Sequence, residues 1–159
     1  MNDICDYKLS LKLKKAGYKE WCRQGWGLDI RHNGQHLGSD EEYELKAEGK
    51  GDEIEYIPGG AIFEGWCNNS AEWWDEDTCS APLINDVIDW LETEKGILVV
   101  PELRSGISSY VWRCSIFTFV KGKGVKLHIT TTERSKKYDS LSEGIEYALY
   151  NLIEEINQK

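Results

Sequence analysis

Most of the side chains in this sequence that could do chemistry fall in one short run, where Trp66, Trp73 and Trp74 are interleaved with Glu64, Glu72, Asp75, Glu76 and Asp77. Indole faces stack on sugar rings and paired carboxylates hydrolyse glycosides, so the composition suits a small-ligand or carbohydrate site. The spacing adds less. A hydrolytic pair is defined by the distance between two carboxyl groups, and nothing in the sequence fixes one. Three successive acids at 75–77 lack the alternating oxygen donors and the turn glycine of a calcium loop, so they are assigned no metal. Their expected role is to favour the positive end of the helix that follows.

Other constellations carry less. Cys114 and His128 lie on adjacent expected strands, but a hairpin turning at 121–124 sets Cys114 opposite position 131, beyond the reach of His128. His32 and His36 are four residues apart yet flank Asn33-Gly34, a turn signal, so they lack the shared helix face of a zinc pair. Five cysteines, widely spaced and without a CxxC pair, suggest buried free thiols and not a disulfide framework or a zinc knuckle. No glycine-rich loop has phosphate-binding spacing. The sequence therefore predicts no catalytic residue, no cofactor and no metal.

Charge says more. The net charge is −9. Residues 1–40 carry seven Lys/Arg against five Asp/Glu, residues 41–96 three against sixteen, and residues 97–159 nine against seven. The acidity is thus confined to the middle third. Such a field repels phosphates, which argues against nucleic acid as a partner, and it suits a basic protein. The expectation is a non-catalytic binding module in which 41–96 contacts a basic protein partner, acting as a mimic of nucleic acid. The competing expectation is a ligand site or enzyme built on the Trp/acidic run at 64–77.

The elements that would hold these residues follow from pattern. At 159 residues, 40% of them hydrophobic, the chain matches one domain, 1–159, with enough apolar content for a core. No apolar run approaches the ~18 residues needed to cross a bilayer, and Met1 to Asp6 carries no basic leader, so a cytoplasmic protein without a membrane partner is expected. Three β-type runs, 97–103, 110–120 and 125–132, read as an antiparallel meander that organises the rest. Helices are expected over 6–15, ending near Gly17, over 81–95 with Ser80 as N-cap and Pro82 in the first turn, and over 140–156 with Ser140 and Glu143 in capping-box spacing. Asn33-Gly34 turns a hairpin over 18–37, and 43–48 and 53–57 read as acidic edge strands. The fold class expected is α+β, a single domain with an antiparallel sheet and two main helices packed on one face; a closed, barrel-like sheet is the alternative.

Several of these segments together look familiar. Asp3-Ile4-Cys5, a Leu/Lys-rich first helix ending in Ala16-Gly17-Tyr18, Ser80-Ala81-Pro82 opening a helix, and Glu146-Tyr147-Ala148-Leu149-Tyr150-Asn151-Leu152-Ile153-Glu154 recur in that order. In this the chain resembles small uncharacterised phage and prophage proteins of Bacteroidetes gut bacteria. The resemblance covers the two ends and the middle helix, and it implies a protein expressed from a mobile element, with no activity or site residue attached.

Overall fold

The computed structural model describes residues 3–70, 74–105, 110–120, 124–130 and 141–158. In chain order they form α1 (Tyr7–Lys15), β1 (Cys22–His32), β2 (Gln35–His36), α2 (Ser39–Ala47), β3 (Ile54–Cys67), β4 (Cys79–Ser80), α3 (Ile84–Lys95), β5 (Ile97–Ser105), β6 (Tyr110–Val120), β7 (Gly124–Thr130) and α4 (Leu141–Asn157). All strand pairs are antiparallel and the class is α+β. The backbone divides into two compact units, Met1–Tyr18 with Pro82–Lys159, and Lys19–Ala81. No linker marks the junctions, because the second unit is an insertion that leaves the first after α1 and returns just before α3.

In the first unit the meander is as the pattern predicts. β6 is the central strand of the order β5-β6-β7, and Val99 pairs with Ile116, both buried. α3 packs on β5, α4 packs on β6, and the two helices touch, so they share one face of the sheet. α4 buries Ile145, Ala148, Leu149, Leu152 and Ile153 at no more than 1% exposure. Side chains at 3.6-residue spacing converge on one stripe, and each fully buried one contributes roughly 1.5 to 3 kcal/mol. α1 lies against α4 through Leu9 and Leu13. Its N-terminus is capped by Asp6, whose Oδ1 accepts the Leu9 N–H at 2.7 Å, and Gly17 closes it at φ +87°.

The start of α3 differs from expectation. Ser80 lies in β4, where its N–H donates to Asn69 Oδ1, and the cap position is Leu83, which has no side-chain acceptor. The orphan Ile84 N–H is instead satisfied by the Asp3 carbonyl at 3.0 Å. Ile4 bridges Leu83, and the Cys5 N–H donates to the Pro82 carbonyl at 2.8 Å. Residues 3–5 thereby stitch the first unit closed across the insertion. The predicted Ser140 cap lies outside the described residues.

The inserted unit is a long β ribbon with β1 at its centre. β3 flanks one side of β1, and β2 and β4 flank the other. The β1–β2 turn is the predicted Asn33-Gly34, with φ +50° and +77°. The expected strand at 43–48 is a helix, α2. Glu41 Oε2 accepts the Gly38 N–H at 2.9 Å, the first turn holds Asp40, Glu41 and Glu42, and Glu42 pairs with Lys46 one turn on at 2.5 Å. Alternation of Tyr43 and Leu45 with glutamates over so short a stretch fits either period, and the end signals decide for helix. The second acidic strand does form, but Pro58, Gly59 and Gly60 do not end it. They make a bulge between Gly27↔Ala61 and Leu28↔Pro58, after which β3 runs on to Cys67.

Candidate functional site

The Trp/acidic run does not gather into one place of uniform character. Trp74 is 9% exposed and meets the Phe63 ring edge-on, with centroids 6.1 Å apart. Phe63 in turn lies over Gly25, where a side chain would collide with its ring, and within ordinary contact distance of Gly27. This stack is the small core of the inserted unit. Trp66 is 69% exposed, and Glu64, opposite Gln24 on β1, is exposed as well. Asp75 is spent on its own turn, with Oδ1 accepting the Asp77 N–H at 3.1 Å and the Thr78 hydroxyl at 2.6 Å. Glu76 and Asp77 face solvent, whereas Glu72 and Trp73 lie outside the described residues. Among the described residues no three His, Cys, Asp or Glu side chains are grouped to hold a metal ion.

Two exposed tryptophans do lie at the same end of the β1–β3 ladder, and the sequence reading paired neither with the other. Cys22 and Cys67 are direct partners in the β1–β3 ladder, and the next register pair is Gln24↔Glu64. Gly65 and Trp66 therefore oppose Arg23 alone, a bulge that Gly65 makes possible at φ +151°. Trp21, 63% exposed, immediately precedes β1, and both it and Trp66 are sequence neighbours of the Cys22↔Cys67 pair. The Arg23 guanidinium lies 5.9 Å from the centre of the Trp66 ring. The signal was a Gly-Trp step in a strand, readable only once the register was known.

A polar lock occupies the far end of the same ribbon. Asp29 is 2% exposed; Oδ2 accepts from Arg31 Nε at 2.6 Å and Oδ1 is hydrogen-bonded to His36 Nδ1. Burial pushes the Asp29 carboxyl up, but the Arg31 and His36 contacts outweigh it and hold the group below the usual carboxylate range. The lock follows from register, since Arg31 pairs with His36 across the two-residue turn and Asp29 is on the same face. His32 takes the other face and pairs with Glu53 at 3.2 Å. The two histidines thus hold separate carboxylates.

Cys5, Cys22, Cys67 and Cys79 are free and buried. Ser115 pairs with Thr130 and Ile116 with Ile129, and the register shift before Phe117↔Leu127 leaves His128 in a bulge. Burial pushes the Cys67 thiol up, away from the reactive thiolate. A cavity of about 370 Å³ opens between α1 and α4, lined by Lys8, Lys12, Lys15, Tyr150 and Glu154 among others. Its central cation is already committed: Lys12 Nζ pairs with Glu154 at 3.1 Å and sits 4.1 Å above the Tyr150 ring.

Compared with known proteins, the chain matches no protein-family model, no curated protein and no solved structure.

Proposed function

We propose that this chain is a non-catalytic binding module, acting in the cytosol, whose inserted unit takes a basic protein partner. One observation carries the reading. Among the residues whose side chains the structure describes, which leave out 101–114 and 119–144, the large apolar side chains that are exposed are Trp21, Tyr43, Tyr56, Ile57, Ile62 and Trp66, and they belong to residues 19–81. That same stretch holds five Lys/Arg against fifteen Asp/Glu, a net −10, while the rest of the chain holds fourteen against thirteen. Exposed aromatics mark contact surfaces, and a one-signed field selects and steers an oppositely charged partner.

The remaining acids of 41–96, Asp86, Asp89, Glu92 and Glu94, occupy the solvent face of α3, where an amphipathic helix places charge for its own sake. The acidic surface of interest is therefore narrower than 41–96. It includes α2, which buries none of its residues, and whose Glu42 accepts the Tyr56 hydroxyl at 2.8 Å. A protein from a mobile element, as the resemblance implies, would use such a surface to fill the nucleic-acid groove of a host protein.

Titration of the full chain with cationic, neutral and acidic peptides of equal length, at low and high salt, tests the reading. The expected result is binding of the cationic peptide alone, weakened steeply by salt. Equal binding of all three, or binding indifferent to salt, overturns it. Oligosaccharides run in parallel address the competing carbohydrate expectation for Trp66.

A further inference from the structure

We infer that Trp21 and Trp66 are the anchor at which the cationic partner docks, and that its arginine side chains stack on these indoles. This rests on the proposed basic partner and adds where, and by which chemistry, it is held.

Four observations converge. The rings are 63% and 69% exposed at one end of the β1–β3 ladder, Trp66 on β3 and Trp21 immediately before β1. Trp66 is turned out by a bulge whose Gly65 adopts φ +151°, a conformation that other residues rarely adopt. Bulges of this kind re-aim a side chain, and this one aims a large apolar ring at water. Arg23 already rests 5.9 Å from the Trp66 centroid, so the ring accepts a guanidinium in this setting while most of it stays accessible. Finally, the unit that carries the rings has a net charge of −10, which admits a cationic segment and rejects an acidic one.

The carboxylates and the rings then have separate tasks. Exposed ion pairs contribute little once formed and act mainly on the rate of encounter, whereas tryptophans dominate binding energy where they are desolvated. Arginine is favoured over lysine because its planar, weakly hydrated guanidinium stacks on an aromatic face.

The test compares wild type, Trp21→Ala, Trp66→Ala, the double variant and Glu41→Gln/Glu44→Gln by calorimetric titration with a short arginine-rich peptide and its lysine counterpart. Circular dichroism confirms that each variant is folded. Expected are tighter binding of the arginine peptide by wild type, a loss of about tenfold or more for each tryptophan variant, and disappearance of the arginine preference in the double variant. The salt dependence should persist in the tryptophan variants and shrink in the glutamate variant. If the double variant keeps wild-type affinity and preference while the glutamate variant weakens, the anchor is overturned and the basic-partner reading stands. If wild type binds neither peptide in a salt-sensitive way, both fall.

Discussion

The two units fold by different means. Residues 1–18 and 82–159 bury leucines, isoleucines and valines on each helix: Leu9 and Leu13 on α1, Ile84, Val87 and Leu91 on α3, Ile145, Leu149, Leu152 and Ile153 on α4. Among the described residues of 19–81 the buried apolar set is Cys22, Ile54, Cys67, Trp74, Cys79 and Ala81, with no leucine or valine. Its order comes from the β1–β3 ladder, the Gly25–Phe63–Trp74 stack and the Asp29 lock. Burial sets most of a domain's stability, so the first unit has the larger apolar core, whereas the inserted unit leaves several of its large apolar side chains exposed.

The sharpest way to break this contrast is Leu149→Ala. The residue is fully buried in α4, and its truncation should cost about 2 to 5 kcal/mol in urea denaturation. A wild-type midpoint with an unchanged slope would mean that α4 is not docked through this stripe. Gly60→Ala makes the complementary test in the inserted unit. A methyl group there would lie 2.7 Å from Asp29 Cβ and 3.0 Å from the Ile57 carbonyl, so a loss of about 1 to 3 kcal/mol is expected. Signals from 19–81 should move first, and a variant as stable as wild type would show that the Asp29 neighbourhood yields easily.

Acid should separate the units as well. The native Asp29 carboxyl is held below its ordinary value, so its contribution is present above the unfolded pKa of ~4 and is lost as pH falls through the lower native one. Asp29→Asn, which removes the charge that Arg31 and His36 share, should flatten that acid limb and destabilise at neutral pH; an unchanged limb would shift the cause to other carboxylates. In native-state hydrogen exchange, β1 and β3 amides should open at lower free energy than those of α4, and the reverse order would invert the comparison. Smallest of all, Trp66→Ala should change stability by under about 0.5 kcal/mol, as expected for a ring exposed to solvent.

The first unit was the legible part, and its chemistry explains why. β6 begins at Tyr110 and ends at Val120 as the β-branched and aromatic run does, and α1, α3 and α4 follow apolar stripes with glycine or acidic end signals. Local period decides such elements. In the inserted unit the deciding terms are longer in range or finer in detail. α2 was hidden because two apolar residues cannot distinguish a period of 2 from 3.6, and β3 because Pro58-Gly59-Gly60 reads as a stop until β1 supplies the partner that absorbs it as a bulge. The Trp/acidic run drew attention by composition, yet which ring faces water depends on register: Trp66 lies in a bulge and Trp74 against Phe63. The lock of Asp29, Arg31 and His36 could have been reached by counting across the Asn-Gly turn.

The stitch of residues 3–5 to 82–84 also sets a schedule for synthesis. α1 leaves the ribosome first, yet its partners come last: Asp6 meets Glu146, and the Lys12 carbonyl accepts from Asn157 Nδ2 at 3.0 Å. At ~5–20 residues per second the first helix waits roughly seven to thirty seconds for α4, with Leu9 and Leu13 uncovered. The strands of 19–81 pair only among themselves, so all their ladder partners are synthesised within that interval. All residues of the inserted unit are therefore synthesised before α4, and the closure of α1 onto α4 is the contact of longest sequence separation that folding must make.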